Sequence, residues 1–591
     1  MATAPPLAPS KRRLRIYAID PSADVSLETA HISRCVLEVP WETLGPGPVG
    51  EYVEVVDIDP ASECAYDPVD LNAPHWLAQD GLQPSEGSPQ FHQQMVYAVC
   101  MKTIDNFEQA LGRRVLWSDR AKDDQGQWIY PREQRYVGRL RLYPHALREQ
   151  NAFYSPAKKA LLLGYFNAPT TDPRDELPGG TVFTCLSHDV VAHETTHAIL
   201  DGVNGRLLEA TNPDMLAFHE AFADIVAVFQ HFTLPGMVLD QIRRTRGNLA
   251  DGAQLLSALA VQFGRATRRG GALRNALGDL DAQGRPAASD PAALGRTSEP
   301  HERGAILLAA VFDAFLRIYE NRICDLRRIA TGGSGILPQG DIHPDLAGRF
   351  ADEAVTAAQR VLTICVRALD YLPPVDITFG DYLRALITAD MEVVPDDPCR
   401  YRLAFVDAFR RRGIYPADVR ALGEDSLRWK KVDKDTWELM RQVLPPAEII
   451  RTMATAWTYS PTHTPFDQGD EAPASGGSGS KLDLRTINLE ELAQDFLRAY
   501  WCHPTSNGKG HEDARMNAYL LGQQFARVFN VWIRASLLQR PLTKDQKAEL
   551  SWHLGIDLDR LQRSEEDRQV PDGRLEVSTV RPVLRRRPDG R

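Results

Sequence analysis

The sequence predicts an α+β fold, with strands concentrated in the first third of the chain and helices in the rest. Two patterns indicate this. Between residues 12 and 60, short stretches such as 14–19 and 52–58 alternate apolar and polar residues, which is typical of half-buried strands. After about residue 187, apolar residues recur every three or four positions, which is typical of helices with one buried face. The chain has 591 residues, 43% of them apolar, and can therefore form more than one domain.

The elements follow in order along the chain. Apolar residues at helical spacing predict a helix across 90–111, and strands return near 139–143 and 160–166. The next helix is predicted to begin near Ser187, a good N-cap residue, and to end at Gly202. Further helical patterns cover 214–232, 304–319, 351–369 and 381–389, whereas 279–296 is rich in Asp, Ala, Gly and Pro and indicates a long loop.

The end of the chain differs in composition from what precedes it. Residues 471–480 are rich in Gly and Ser, so 451–480 is predicted to be a flexible linker. Beyond it, 481–591 forms an extension of unknown role, with a helical pattern at 488–534 and a strand-like segment at 575–580. This extension is a candidate site for a protein partner.

Composition excludes several classes of function. The formal net charge is −11, and no basic patch is interleaved with aromatic residues, so we expect no nucleic-acid partner. No run of about 18 apolar residues suggests a membrane span. The N-terminus lacks the pattern of a signal peptide, and the eight cysteines form no C-x-x-C pair. Together these features predict a cytoplasmic protein with no membrane association.

The most informative motif is His193-Glu194-Thr195-Thr196-His197. Residues four apart project from the same face of a helix, so His193 and His197 can bind one zinc ion together. Glu194 would then be placed to take a proton from a water molecule. A chain of this length shows the pattern by chance roughly a few per cent of the time, so the interpretation requires a third ligand.

Five acidic or histidine residues downstream are candidates for the third ligand. Glu220 and Asp224 lie one turn apart on one face of the next predicted helix. That spacing permits Glu220 to bind the metal while Asp224 accepts the free N–H of a ligand histidine. The full set is Glu209, Asp214, His219, Glu220 and Asp224.

At these two motifs the sequence resembles the thermolysin family of zinc metallopeptidases, the glutamate-zincins. That family has H-E-x-T-H followed by a glutamate ligand within E-A-x-x-D, and the segments 189–198 and 220–224 match both. The resemblance implies that Glu194 is the general base and that Asp224 orients a ligand histidine. The implied zinc ligands are His193, His197 and Glu220.

Three further segments extend the resemblance over about residues 90–400. Asn151 and Ala152 belong to a segment similar to the N-A-x-W edge strand that pairs with substrate. Arg274 matches an arginine that binds a substrate carbonyl, and His301 matches a histidine that stabilises the transition state.

Some positions depart from the family pattern. Leu208 stands near the place of a tyrosine that helps to bind the oxyanion. The aspartate that usually precedes the family histidine is absent, and Glu299 or Asp290 could take its place as partner of His301. Asp189 matches one residue of the family's calcium cluster, but the other acidic residues are missing, so the sequence does not support a structural calcium ion.

The resemblance implies a two-lobed fold with a β-rich N-terminal lobe (1–186) and a helical lobe that begins with the zinc helix (187–450). It implies a zinc-dependent endopeptidase that acts on polypeptides and holds one zinc ion. The alternative is a catalytically weak or inactive scaffold of the same fold that binds a protein partner. Leu208 and the uncertain partner of His301 favour the scaffold, whereas the intact Glu194 favours the enzyme.

Overall fold

The computed structural model describes residues 9–429 apart from gaps, of which the longest are 169–178, 260–273 and 278–287. Of 430–591 it describes only 515, 516, 519, 543–546 and 548. The chain divides into two units, Met1–Trp429 and Lys430–Arg591. The linker predicted at 451–480 and nearly all of the extension at 481–591 therefore lie outside the described residues. The remainder of this section concerns the first unit.

The first unit begins with strands whose alternating residues are buried. Strand β1 (Lys11–Tyr17) pairs antiparallel with β2 (Arg34–Pro40), and the even-numbered Leu14 and Ile16 face the core. A mixed sheet follows, with β3 (Val53–Val55), β6 (Leu140–Leu147), β8 (Ala160–Asn167) and β7 (Ala152–Ser155) in that order. The pairs β3–β6 and β6–β8 are parallel, whereas β7 and β9 (Thr181–Phe183) pair antiparallel with β8. Two small antiparallel pairs complete the described strands: β4 (Ile58–Asp59) with β5 (Cys64–Ala65), and β10 (Ala258–Leu259) with β11 (Arg274–Asn275).

Helices make up most of the rest of the first unit. The described α-helices are α1 (Pro74–Ala78), α2 (Pro89–Leu111), α3 (His188–Val203), α4 (Pro213–Gln230), α5 (Pro235–Arg244), α6 (Ala293–Arg296), α7 (Pro300–Ala330), α8 (Pro344–Ala368), α9 (Phe379–Val393), α10 (Tyr401–Arg411) and α11 (Glu424–Leu427). Helix α2 is capped by the Ser88 side chain and ends at Gly112, whose positive φ closes the helix. The fold is thus mixed α and β, as the sequence predicts.

One hydrophobic core joins the strand-rich and helical parts of this unit, from Leu14 to Leu427. Helix α3 lies within it, packed against α2 on one side and α4 on the other. Helix α4 also packs along α7. These contacts bring the first turns of α7 against the middle of α4, the region that carries Glu220.

A single glycine sets how closely α7 approaches α4. A Cβ atom built on Gly304 would lie 2.9 Å from the backbone oxygen of Ala217 and 3.2 Å from the backbone nitrogen of Ala221. Any larger residue at this position would therefore force the two backbones apart. The close crossing also fixes the position of the residues just before Gly304, including His301.

The structure differs from the sequence prediction in the length of some elements. The loop predicted at 279–296 contains the short helix α6, a single turn in which the backbone N–H of Thr297 donates to the oxygen of Ala293. Helix α7 extends to Ala330, well past the predicted end at residue 319. Past Tyr319 the helix still contacts the core through Ile323 and Leu326, while its exposed side carries charged residues, with Arg327 and Glu320 paired at 2.9 Å. Helices α5 and α10 have no counterpart among the predicted elements.

In the part of the chain that the structure describes, no single helix has the length and apolar composition needed to cross a membrane. Only the bent pair Pro213–Thr233 and Pro235–Arg244 passes that test, taken together, and the two segments meet at 87°.

Candidate metal centre

Helix α3 presents the H-E-x-x-H motif on its buried side. His193, Glu194 and His197 are each 8% exposed. The two imidazole rings lie edge to face, with their centroids 4.5 Å apart, as the spacing of four residues predicts. Apolar neighbours on the same helix, such as Val191 and Ile199, are fully buried and hold this face in place.

Glu220 on α4 faces both histidines. Its Oε2 lies 3.4 Å from His193 Nε2, and its Oε1 lies 3.6 Å from His197 Nε2. Burial alone would raise the pKa of Glu220, but the hydrogen bond with His193 and the charges of His197, His193 and His301 lower it. Two nitrogen donors and one carboxylate thus converge with their ligand atoms within 4.8 Å of one another.

Asp224 lies behind His193, one turn along α4 from Glu220. Its Oδ1 is 2.8 Å from His193 Nδ1, on the opposite side of the ring from Glu220. An outer carboxylate of this kind fixes which nitrogen carries the proton and orients the ring toward the metal. Asp224 is 1% exposed, so water does not compete for this contact.

We expect Asp224→Asn to weaken zinc binding by about 10- to 100-fold, because outer-shell partners of ligand histidines typically contribute that much affinity. Competition with a metal-responsive chelator measures the dissociation constant directly. Asp352→Asn, an exposed acid on α8, is the matched control and should bind zinc like the wild type. Equal zinc affinity of Asp224→Asn and wild type would show that Asp224 does not support metal binding.

The base candidate, Glu194, is held by the backbone of an edge strand. Its Oε2 accepts a hydrogen bond of 2.8 Å from the backbone N–H of Tyr154 in β7. The Tyr154 hydroxyl donates to Asp201 Oδ2 at 2.7 Å, and Lys159 Nζ donates to the same oxygen at 2.9 Å. Strand β7 and helix α3 are thereby joined at both Glu194 and Asp201.

Sequence reasoning assigned no role to Tyr154, Lys159 or Asp201. One signal was available for Asp201, which lies four residues after His197 and seven after Glu194, and therefore on the same face of α3. The contact between Tyr154 and Glu194 links residues 40 positions apart, and it depends on where β7 lies in the sheet.

Strand β7 lies at the edge of the mixed sheet, and part of its backbone faces away from β8. The N–H of Ala152 donates to the Asn151 side chain at 2.9 Å, and the N–H of Tyr154 donates to Glu194. Backbone groups of consecutive residues in a strand point to opposite edges, so Ala152 and Tyr154, two residues apart, share the outward side. The sequence-predicted Asn151 and Ala152 thus lie on the edge that carries the contact to Glu194.

His301, in the first turn of α7, also reaches Glu220. Its Nε2 lies 3.4 Å from Glu220 Oε2, and its Nδ1 lies 2.7 Å from Glu299 Oε1. Of the two candidate partners, Glu299 therefore contacts His301, while Asp290 pairs with Arg296. Unlike the side chains of His193 and His197, which are 10% and 11% exposed, the His301 side chain is 55% exposed.

Two other predicted positions lie in short elements. Arg274 lies in β11, opposite Leu259 of β10, and its side chain is outside the described residues. Leu208 ends the 3-10 turn Gly205–Leu208 between α3 and α4 and is half-buried. The loop that carries Leu208 therefore connects the two helices of the candidate metal cluster.

The other third-ligand candidates have different surroundings. Asp214 accepts a 2.6 Å hydrogen bond from Arg303 and a 2.8 Å bond from the backbone N–H of Phe379. His219 stacks on His197, with the ring centroids 4.4 Å apart, and burial lowers its pKa to about 4. A neutral ring at this place packs against His197 without adding charge. Glu209 is exposed.

Behind α3, a second buried cluster surrounds Asp189. Its Oδ1 contacts His231 Nε2 directly and lies 3.7 Å from His188 Nδ1. All three side chains are at most 2% exposed. Asp189, which the family resemblance associates with calcium, thus has a histidine as its immediate partner in this chain.

No protein-family model matches this chain, and no curated protein matches it.

Proposed function

We propose that this protein is a zinc-dependent endopeptidase of the thermolysin type, which hydrolyses peptide bonds with Glu194 as general base. The observation that carries the proposal is the convergence of His193 and His197 on α3 with Glu220 on α4. Glu194, also on α3, accepts a hydrogen bond from a backbone N–H. Such a set of two imidazoles and one carboxylate is typical of catalytic zinc, which keeps three protein ligands.

The residues fit zinc in three respects. The donors are nitrogen and oxygen atoms of the kinds that zinc prefers, they converge from two helices, and Asp224 supports His193 from behind. When bound, zinc supplies a Lewis acid that polarises the scissile carbonyl and acidifies water. The ligands would be His193 Nε2, His197 Nε2 and the Glu220 carboxylate.

Glu194 moves the proton in the proposed reaction. Its carboxylate is nearly buried and accepts a hydrogen bond from the Tyr154 N–H, and in the proposed reaction it accepts a proton from the attacking water. The same carboxylic acid then donates that proton to the amine of the departing peptide. The bond to Tyr154 limits rotation of the side chain, so the carboxylate is oriented before substrate binds.

Substrate would bind as an extended strand along β7. An exposed strand edge binds a peptide through backbone hydrogen bonds, which do not depend on the side chains of the peptide. Ala152 lies on that edge, and Asn151 precedes it. We propose that Arg274 binds a substrate carbonyl, and that His301, oriented by Glu299, donates a hydrogen bond to the oxyanion that develops during attack.

The finer fold assignment belongs to the same proposal. We infer a two-lobed arrangement of the thermolysin kind, with the lobes formed by 1–186 and 187–450. The cytoplasm is the proposed compartment, supported by the free state of the seven cysteines among the described residues. A protein partner bound through 481–591 is also a proposal.

Cleavage of an unstructured protein and of a broad peptide library tests this function. The purified full chain, loaded with zinc, should cleave casein, lose activity with a zinc chelator and recover it on addition of zinc. Comparing wild type with Glu194→Gln on the same library separates this activity from a contaminating protease. Identical cleavage patterns and rates from both proteins, across the library, would exclude the peptidase proposal.

A smaller effect is expected at the partner of His301. Glu299→Gln should lower kcat by about 2- to 5-fold, because an exposed ion pair contributes about 1 kcal/mol or less. Asp290→Asn is the matched control, since Asp290 pairs with Arg296 instead, and its kcat should equal that of wild type. A loss of activity in Asp290→Asn but not in Glu299→Gln would show that Asp290, and not Glu299, supports His301.

The alternative is a scaffold of the same fold with little turnover, and Leu208 is the observation that favours it. A leucine supplies no hydroxyl to an oxyanion, and losing one such donor typically costs about 3–4 kcal/mol in the transition state. A scaffold would still bind zinc through His193, His197 and Glu220. Its cleavage of the library would not differ between wild type and Glu194→Gln.

A further inference from the structure

Another group of side chains that could bind a metal ion lies in the strand-rich part of the first unit. His92 on α2, His145 on β6 and Cys185 in the turn Thr184–Leu186 have their ligand atoms within 4.8 Å of one another. All three residues are at most 2% exposed. None of them belongs to the cluster formed by His193, His197 and Glu220.

The outer nitrogens of both histidines are bound to acceptors. His92 Nε2 lies 3.0 Å from the backbone oxygen of Glu86, which can only accept, so this nitrogen carries the hydrogen. His145 Nδ1 lies 2.6 Å from Asp57 Oδ1. Asp57 also accepts a 2.9 Å bond from the Gln93 side chain through Oδ2. Backbone carbonyls and carboxylates in these positions are the usual outer partners of metal-binding histidines.

The inner nitrogens therefore face each other. His92 Nδ1 and His145 Nε2 lie 2.8 Å apart. In two neutral rings with their outer nitrogens protonated, both inner nitrogens present lone pairs, and these repel. A cation between them removes the repulsion, and that cation is either one extra proton or a metal ion.

Charge and ligand type distinguish the two cations. The Cys185 sulfur lies within 4.8 Å of a ring nitrogen of each histidine and is fully buried. A divalent ion would be balanced by the Cys185 thiolate and the Asp57 carboxylate, which leaves the buried site neutral. Zinc accepts both imidazole nitrogen and thiolate sulfur.

We propose that His92 Nδ1, His145 Nε2 and Cys185 Sγ form a second, structural zinc site. The three residues come from α2, β6 and the turn just before α3, so bound zinc would join the sheet to the start of the helix that carries His193. This role is independent of peptide cleavage. Ring contacts of Phe183 with His92 and of Tyr66 with His145 exclude solvent from the cluster.

Metal content and cobalt spectra of the full-length protein test the proposal. Wild type should hold two zinc ions per chain, and His193→Ala and Cys185→Ser should each hold one. After replacement of zinc by Co²⁺, wild type and His193→Ala should show a thiolate-to-cobalt charge-transfer band in the near ultraviolet, because the first cluster contains no sulfur. Cys185→Ser should lack the band, whereas Cys365→Ser, a buried cysteine elsewhere, should keep it.

The outcomes separate this site from the proposed active site. A cobalt band that persists in Cys185→Ser, or a wild type with one zinc that His193→Ala removes, would overturn the second site and leave the first intact. If Cys185→Ser does not fold, X-ray absorption at the zinc edge of the wild type shows whether sulfur binds zinc. A sulfur neighbour at about 2.3 Å supports the site, and its absence overturns it.

Discussion

Replacing Glu194 by Gln should lower kcat for peptide cleavage by about 10²- to 10⁴-fold, the usual contribution of a positioned general base. Gln has nearly the same shape and can still accept the hydrogen bond from the Tyr154 N–H, so the helix and the cluster should keep their geometry. It cannot accept a proton from water. The zinc content of the variant should therefore match that of wild type, because Glu194 is not one of the three ligands.

Measuring kcat and bound zinc on the same preparations makes the prediction specific. Glu302→Gln, on the exposed side of the first turn of α7, is the matched control and should retain wild-type kcat. Loss of zinc together with activity would show that Glu194 binds the metal or supports the fold. An unchanged kcat with a full complement of zinc would exclude Glu194 as the base.

The second large effect concerns stability and the cluster around Asp189. His231→Phe should lower the free energy of unfolding by about 3–5 kcal/mol, because it leaves a buried carboxylate without its cationic partner. Phe keeps an aromatic ring at this buried position, so the variant leaves no cavity. Urea denaturation followed by circular dichroism measures it, and His75→Phe, at an exposed position on α1, is the control.

The size of this effect should depend on pH in a defined direction. Burial would raise the pKa of Asp189, but the charge of His231 and the hydrogen bonds from His188 and His231 lower it. Burial would lower the pKa of His231, but the charge and hydrogen bond of Asp189 raise it, with smaller contributions from the Leu256 carbonyl and Asp20. Both shifts show that the folded state favours the charged pair.

The sign for each partner follows from linkage. The lowered pKa of Asp189 stabilises the fold above its ordinary value of 3.8, and this contribution is lost as pH falls through the folded pKa. The raised pKa of His231 stabilises the fold below its ordinary value of 6.5, and this contribution is lost as pH rises through the folded pKa. The difference between wild type and His231→Phe should thus be largest between about pH 4 and 6.5. A difference that does not vary with pH would mean that His231 acts only by packing.

Local spacing predicts the parts of the site that lie on one helix or one turn. His193 and His197 are four residues apart, as are Glu220 and Asp224, so periodicity alone places each pair on one face. Glu299 lies two residues from His301, and it was one of two possible partners until the pairing of Asp290 with Arg296 distinguished them.

Contacts between distant segments could not be predicted in this way. The bond from Tyr154 to Glu194 depends on the edge position of β7, and the meeting of His92, His145 and Cys185 depends on how α2 lies against β6. The length of α7 was missed for a different reason. Past Tyr319, Ile323 is the one buried residue of the helix and Leu326 is partly buried, while the rest of the surface carries charge pairs such as Arg327–Glu320, so the apolar pattern is weaker there.

Because α7 meets α4 through main-chain atoms at Gly304, the position of His301 does not depend on which side chains surround it. The distance between α7 and α4 is limited by main-chain atoms, the Ala217 oxygen and the Ala221 nitrogen. Substitutions elsewhere on the exposed face of α7 can therefore accumulate without moving the His301 ring relative to Glu220. The spacing between His301 and Glu220 is thus set by one missing methyl group, whatever side chains occupy the exposed face of α7.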